Sequence, residues 1–237
     1  MRLTLLAYRC VHPLLKMLRT NRAIIRRLFG VRIPRDTKVQ FDPTTVLLSK
    51  TLGELLTEDD GRVLELGIGQ GALVGLSLKR AARNRGWTLA LDGIDCSAAR
   101  VESSRKVAEY NHIDASFWVS DSFAEVPPLR QYDLIFFNSP YVPTRVGKAL
   151  KLTQRLEVDG DQVWDGGVDG TAILRRFLRE SGARLSPRGR VVFGVQRIFV
   201  PDELVAEVVA ASQLRIEQRL TRRSIPSVVY VVSDRAL

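Results

Sequence analysis

The fold is decided by an apolar strand that runs into a glycine-rich turn, Val63-Leu64-Glu65-Leu66-Gly67-Ile68-Gly69-Gln70-Gly71. Glycines at alternate positions let the backbone approach a ligand closely, and a helix beginning after them offers free N–H groups. The pattern is ExGxGxG, which differs from the GxGxxG turn of dinucleotide-binding folds. Because Glu65 precedes the turn, we expect its carboxylate to meet a cation and not a phosphate.

Two further strands predicted downstream also end in acids, in Gly93-Ile94-Asp95 and in Ser120-Asp121-Ser122-Phe123. In an open α/β sheet ligands bind at the carboxyl ends of strands, and an acid after the second strand accepts hydrogen bonds from ribose hydroxyls. Three such acids would repel a pyrophosphate but suit a nucleoside that carries a sulfonium and an amino-acid group. The alternative is that the acids only cap the helices that follow.

Strand-like and helix-like stretches alternate along most of the chain. This alternation predicts a seven-stranded, mostly parallel sheet with helices on both faces. Only a short polar link separates the last two strands, so we expect an antiparallel hairpin at the end of the sheet. The predicted strands cover 62–66, 88–94, 116–120, 133–137, 190–196, 215–219 and 227–232, and the predicted helices cover 44–56, 72–85, 98–111, 171–185 and 202–211.

The fourth strand leads into a proline-stiffened polar turn, Asn138-Ser139-Pro140-Tyr141. An amide nitrogen or an adenine amine is a poor nucleophile because its lone pair is delocalised. The Asn138 side-chain oxygen and the Ser139 carbonyl could hold its N–H bonds and aim the lone pair at a methyl carbon. Pro140 stiffens the turn, and the Tyr141 ring offers a face to a planar group. Ordinary turn chemistry after a strand is the alternative.

Composition excludes several classes of protein. The 237 residues, 45% of them hydrophobic, fit one large domain or one domain with a small appendage. Two histidines and two cysteines without a CxxC pair do not indicate a metal site. The low number of cysteines favours a reducing, cytoplasmic compartment. No apolar run reaches the roughly 18–20 residues of a membrane helix, and no small-residue cleavage site marks a signal peptide. We therefore do not expect an integral membrane protein.

The net charge of +10 is concentrated in residues 1–40. We expect this segment, helical over 2–29, to be a basic arm for RNA or another anionic partner, and residues 41–237 to be the catalytic domain. The helix could instead lie on anionic lipid, or pack its apolar stripe on the main domain. One acid, Asp36, accompanies the basic residues Arg2, Arg9, Lys16, Arg19, Arg22, Arg26, Arg27, Arg32, Arg35 and Lys38.

The glycine-rich turn and the strand-end acids together resemble the class I S-adenosylmethionine-dependent methyltransferases, over about residues 40–235. The resemblance implies a Rossmann-like fold and S-adenosylmethionine as the cofactor. It implies that Asp95 binds the ribose and that Asp121 and Ser122 flank the adenine. The methionine part would be wrapped by the loop that follows Glu65, namely Gly67, Ile68, Gly69, Gln70 and Gly71.

The Asn138–Tyr141 turn resembles the NPPY motif of enzymes that methylate amino and amide nitrogens, with Ser139 in place of the first proline. Asp42-Pro43-Thr44-Thr45 and Trp164-Asp165-Gly166-Gly167-Val168-Asp169-Gly170 resemble segments of the HemK family of glutamine methyltransferases. This family resemblance implies that Asn138, Ser139, Pro140 and Tyr141 bind a glutamine amide of a protein such as a translation release factor. It also places Asn138 beside the methyl donor.

Three other functions remain open from the sequence. In a nucleic-acid adenine methyltransferase, the arm and a basic loop would grip phosphates. In a small-molecule or natural-product methyltransferase, the arm would act as a lid. A binding module with a relic fold would no longer bind the methyl donor. The basic loop comprises Arg145, Lys148, Lys151 and Arg155.

Overall fold

The computed structural model describes residues 17–223 and 225–234. The predicted helical residues 2–16 lie outside these ranges. Residues 17–20 are helical. The helices that follow are α1 (Arg22–Phe29), α2 (Pro43–Leu55), α3 (Leu73–Asn84), α4 (Ala98–Tyr110), α5 (Thr144–Leu150), α6 (Leu152–Leu156), α7 (Ala172–Ser181) and α8 (Asp202–Ala210). The strands are β1 (Arg62–Leu66), β2 (Ala90–Asp95), β3 (Ser116–Val119), β4 (Tyr132–Asn138), β5 (Leu185–Gln196), β6 (Leu214–Thr221) and β7 (Ser227–Asp234).

The seven strands form one sheet in the order β3-β2-β1-β4-β5-β7-β6. Strands β1 to β5 run parallel, and β7 lies antiparallel between β5 and β6. The predicted parallel sheet and its terminal hairpin are therefore confirmed. The strand order changes direction between β1 and β4, and a crevice forms at the carboxyl ends of strands where this happens.

Helices cover both faces of the sheet, and each face has its own apolar cluster. Alternate side chains of a strand point to opposite faces, so Val63 enters one cluster and Leu64 the other. The first cluster receives side chains of α1 to α4, and the second receives those of α7 and α8. Glu65 shares the face of Val63, which directs its carboxylate toward α3.

The largest departures from the predicted elements lie between β4 and β5. Residues 144–156 form α5 and α6, two short helices separated by Lys151 in the left-handed region at φ 52°. They are too short for a sustained helical pattern in the sequence. The helix predicted over 171–185 ends at Ser181, and β5 begins at Leu185 instead of 190. Leu185 pairs with Tyr132 ahead of a register shift, so it belongs to the sheet.

The described part of the arm packs on the α/β body. Helix α1 is capped at its start by Asn21, whose Oδ1 accepts hydrogen bonds from two backbone amides, and at its end by Gly30 with φ +69°. Ile25 and Phe29 are fully buried in the first cluster, and the Phe29 ring meets Phe41 edge-on at 5.4 Å. The division at residue 40 remains a prediction. None of the helices in the described ranges is long and apolar enough to cross a membrane.

Candidate active site

A cavity of about 410 Å³ opens at the carboxyl ends of β1, β2 and β4. It lies where the strand order changes direction, as the sheet topology requires. Ser139 and Tyr141 are buried and do not line it. The structure brings the remaining predicted site residues together around it: Glu65, Gly67, Ile68, Gly69, Gln70, Gly71, Asp95, Asp121, Ser122, Asn138 and Pro140.

The β1–α3 turn needs its glycines for space and for backbone conformation. Gly67 and Gly69 have φ values of +62° and +60°, which non-glycine residues rarely adopt. A Cβ atom on Gly67 would lie 2.7 Å from the Phe137 ring, and one on Gly71 would lie 3.0 Å from Val39. The turn therefore presents bare backbone to the cavity.

Glu65 lies beneath this turn in a fully buried position. Its Oε2 accepts a hydrogen bond from the Gly75 amide at 2.9 Å, and a Cβ atom on Gly75 would come within 2.6 Å of that oxygen. Burial raises the pKa of the Glu65 carboxyl to about 8, and the nearby Asp95 charge adds to the rise. A cation bound in the cavity would favour the ionised form.

Asp95 at the end of β2 joins the glycine turn to α4. It accepts hydrogen bonds from the amides of Gly69 and Ser97, each at 3.0 Å, and it is 5% exposed. Arg100, a buried residue of α4, lies 3.5 Å from the Asp95 carboxylate and also pairs with Asp159. Neither Arg100 nor Asp159 was predictable from the sequence, because a single arginine in a helix ordinarily faces solvent.

Asp121 and Ser122 are both tied to helix α7. Arg176 donates to the Asp121 carboxylate at 2.8 and 3.0 Å, and Ser122 Oγ donates to Glu180 at 2.5 Å. Arg176 also pairs with Glu180 at 2.9 Å, so these four side chains form one connected cluster. These contacts hold the end of β3 against α7 at one wall of the cavity. Arg176 was not predictable from the sequence, since its partner Asp121 is 55 residues away in the chain.

Asn138 lines the cavity and has a buried, unpaired acceptor. Its amide Nδ2 donates to Asp42 Oδ1 at 3.2 Å and to Thr45 Oγ1 at 3.1 Å, which fixes the orientation of the side chain. Its Oδ1 is buried and has no hydrogen-bond partner within the described ranges. Leaving a buried acceptor unpaired costs about 1–3 kcal/mol, so a ligand N–H at this oxygen would be stabilising.

The Asp42 carboxylate links helix α2 to the Asn138–Tyr141 turn. Asp42 Oδ1 accepts the Thr45 amide at 2.7 Å and thereby caps α2, while its Oδ2 accepts the Tyr141 hydroxyl at 2.5 Å. Burial raises the pKa of Tyr141 well above its usual range. The Tyr141 ring stacks on Phe199 at 6.1 Å and not on the cavity. The sequence pointed to Asp42 only through the Asp42–Thr45 segment, because its bonds to Asn138 and Tyr141 are long-range.

The Trp164–Gly170 segment supports the other side of the Asn138–Tyr141 turn. The Val142 amide donates to the Trp164 carbonyl at 2.9 Å, and the Gly166 amide returns a bond of 2.9 Å to the Val142 carbonyl. Gly170 has φ +82°, and a Cβ atom there would lie 2.6 Å from the Tyr141 carbonyl oxygen. The glycines of this segment therefore allow it to pack directly on the backbone of the turn.

The sheet order, the antiparallel seventh strand and the cavity at the strand ends define a Rossmann-like α/β enzyme of the methyltransferase class. Residues 37–167 match the family model of the methyltransferase small domain, and the chain belongs to that family. It is therefore an S-adenosylmethionine-dependent methyltransferase, which confirms the class inferred from the sequence.

Relatives with named activities share about a third of the aligned residues. A Methanocaldococcus jannaschii protein, provisionally named a protein N5-glutamine methyltransferase, is 30% identical across 66% of this chain and 72% of its own length. The release factor glutamine methyltransferase of Deinococcus radiodurans is 31% identical across 82% of this chain and 67% of its own length. The release factor glutamine methyltransferase of Agrobacterium fabrum is 32% identical, and this chain spans about half (51%) of that protein's length.

Solved structures agree with the fold. A methyltransferase from Pyrococcus furiosus superposes with a TM-score of 0.60 at 16% identity, covering 95% of this chain and 97% of its own. The ribosomal protein L11 methylase of Lactobacillus delbrueckii gives 0.58 at 15% identity, covering 81% and 80%. At these identities the likeness extends to the fold alone.

Proposed function

We propose that this chain transfers a methyl group from S-adenosylmethionine to the side-chain amide nitrogen of a protein glutamine. The observation that carries the proposal is the unpaired Asn138 Oδ1, a fixed and buried acceptor at the wall of the cavity. A primary amide offers two N–H donors to such acceptors. The glutamine methyltransferases of D. radiodurans and A. fabrum support this choice of acceptor.

The cavity suits the methyl donor in shape and charge. When bound, S-adenosylmethionine supplies an electrophilic methyl group on a sulfonium. Gly67 and Gly71, where a Cβ atom would meet Phe137 or Val39, leave the backbone free to hold its methionine part. In this proposal Asp95, at the end of β2, accepts the ribose hydroxyls, and Asp121 and Ser122, which also line the cavity, flank the adenine.

The acceptor turn would act by orientation. Asn138 Oδ1 would accept one N–H of the substrate amide, so that its lone pair points toward the donor; the Ser139 carbonyl, predicted to accept the second, belongs to a residue that does not line the cavity. Pro140 lines the cavity beside them and stiffens the turn. Tyr141 acts through Asp42, whose carboxylate it helps to hold against Asn138. No strong base is needed before transfer, because the nitrogen proton becomes acidic once the methyl group is attached.

The partner in this proposal is a protein, with a translation factor as the leading candidate, and the reaction belongs to the cytoplasm. The relatives named for release factors support the first choice, and the scarcity of cysteine supports the second. The basic arm would bring an anionic partner to the same surface.

Replacing Asn138 by alanine tests the acceptor site. We expect methyl transfer to fall at least about a hundredfold, the usual cost of one lost transition-state hydrogen bond. Donor affinity, measured by calorimetry, should change little. Ser186→Ala is the matched control, because Ser186 bonds Asp133 at 2.7 Å outside the cavity.

Donor-labelled methylation of a cell extract then identifies the acceptor. The proposal expects protease-sensitive, nuclease-resistant label that is recovered as N5-methylglutamine. A nuclease-sensitive product, or full activity of the Asn138→Ala enzyme on the labelled substrate, would contradict it.

A further inference from the structure

Helix α1 carries arginines without acidic partners. Within the described ranges Arg22, Arg26 and Arg27 form no ion pair, although Arg22 donates to the Arg35 carbonyl at 2.5 Å. Arginines elsewhere in the chain form ion pairs with aspartate or glutamate. A shortage of acidic residues in the protein therefore does not explain why the arginines of α1 are unpaired. Paired examples are Arg62, Arg100, Arg130, Arg175, Arg176, Arg188, Arg190, Arg215 and Arg219.

Helix α3 continues the same charge. Its twelve residues contain three cations and no acid. The two helices bury apolar side chains in one cluster, and a Cβ atom on Gly30, at the end of α1, would lie 3.1 Å from Arg80. We call the arginines of these two packed helices the α1–α3 basic face. It comprises Arg22, Arg26, Arg27, Arg80 and Arg83.

Helix α1 lies in a segment whose two ends line the active-site cavity. Arg19 precedes α1 and Val39 follows it, and both line the cavity. The Phe41 amide donates to the Arg19 carbonyl at 3.3 Å, which closes the segment into a loop beside the cavity.

We propose that the α1–α3 basic face binds the phosphate backbone of a structured RNA. Its five arginines have planar guanidinium groups that bind phosphate oxygens with two hydrogen bonds. Attachment to a lipid surface would require apolar side chains to insert, and Leu28 is the one large exposed apolar residue described on these two helices. This inference rests on the proposed function. Together, the two proposals make the methyl acceptor a protein that is bound to RNA.

The test measures binding of the full chain to a labelled RNA duplex of about 16–20 base pairs by fluorescence anisotropy. The variant Arg26→Gln/Arg27→Gln/Arg83→Gln removes three charges from the face. Its matched control, Arg179→Gln/Arg188→Gln/Arg215→Gln, removes the same charge from exposed positions elsewhere. Thermal unfolding of each variant checks that it folds, and Arg83→Gln alone serves if the triple variant does not.

Each phosphate contact contributes about 0.9 to the slope of log affinity against log salt concentration. The face variant should therefore bind roughly a hundredfold more weakly at about 0.15 M salt, with a slope smaller by about 2.7, while the control stays near wild type. Equal binding by the face variant, or an equal loss in the control, would overturn the proposal. So would a wild-type preference for phosphatidylglycerol vesicles over RNA.

The glutamine proposal and the RNA proposal can be refuted independently of each other. The glutamine proposal is tested on the methylated product of a protein extract freed of RNA, and the RNA proposal on binding without methyl donor. If the face variant keeps donor affinity and loses RNA binding, the face is a partner site distinct from the chemistry.

Discussion

Replacing Glu65 by glutamine should remove most of the pH dependence of stability between pH 5 and 8. The folded protein holds the pKa of Glu65 at about 8, against an ordinary value of 4.5. Below pH 4.5 the carboxyl is protonated in both the folded and the unfolded state. Between the two values the unfolded chain ionises and the folded chain keeps its proton, so stability is lost as pH rises and the loss is complete above about 8.

The size of this effect follows from the shift in pKa. Each pH unit within the window costs 1.36 kcal/mol, so the whole window is worth about 5 kcal/mol. Glutamine keeps the length of the side chain and can still accept the Gly75 amide. The variant should therefore resist urea at pH 8 better than the wild type by several kcal/mol, and match it near pH 4.5.

Urea unfolding followed by circular dichroism across pH 4.5–9 measures the difference. Glu54→Gln, at an exposed glutamate of α2, is the control and should keep the wild-type slope. Parallel pH profiles for the wild type and the Glu65→Gln variant would refute the assignment of the slope to Glu65.

Three further substitutions test the site from different sides. Tyr141→Phe leaves the Asp42 carboxylate without its hydroxyl donor and should lower the free energy of unfolding by about 1.5–3 kcal/mol in urea melts; an unchanged midpoint would contradict this. Asp95→Ala should raise the donor dissociation constant at least about tenfold, measured by calorimetry, because a charged hydrogen-bond acceptor is lost; unchanged affinity would remove Asp95 from the ribose site. Gly67→Ala forces a non-glycine residue to φ +62° against the Phe137 ring and should cost about 1–2 kcal/mol for the backbone alone, with weaker donor binding; wild-type stability and affinity would show that the turn tolerates a Cβ.

The sheet was predictable because its signals are local. Strand β1 was predicted at its observed bounds, Arg62–Leu66, since a buried parallel strand is an apolar run ended by a glycine turn. The capped start of α2 was predictable for the same reason, as Asp42 and Pro43 mark a helix start within two residues. Helices α5 and α6 were not, because five to seven residues do not fill enough turns to show a period.

The site was only partly predictable, because the residues that support its lining contact partners far away in the sequence. The sequence pointed to Asn138 but not to Thr45 as a partner of its amide, 93 residues away. It suggested a ring face for Tyr141, whereas the structure buries the ring against Phe199. Arg100 gave no sign of facing inward, since only the fold brings it to Asp95.

Because one carboxylate both starts helix α2 and holds Asn138 and Tyr141, the first turn of that helix and the acceptor geometry form a single cooperative unit. Fraying of α2 would release the Asp42 bonds to the turn at the same moment as the bond to the Thr45 amide. The exchange rate of that one amide hydrogen is therefore a direct reporter of how often the enzyme leaves its competent conformation. On heating, activity should disappear together with protection of the Thr45 amide, ahead of the core strands.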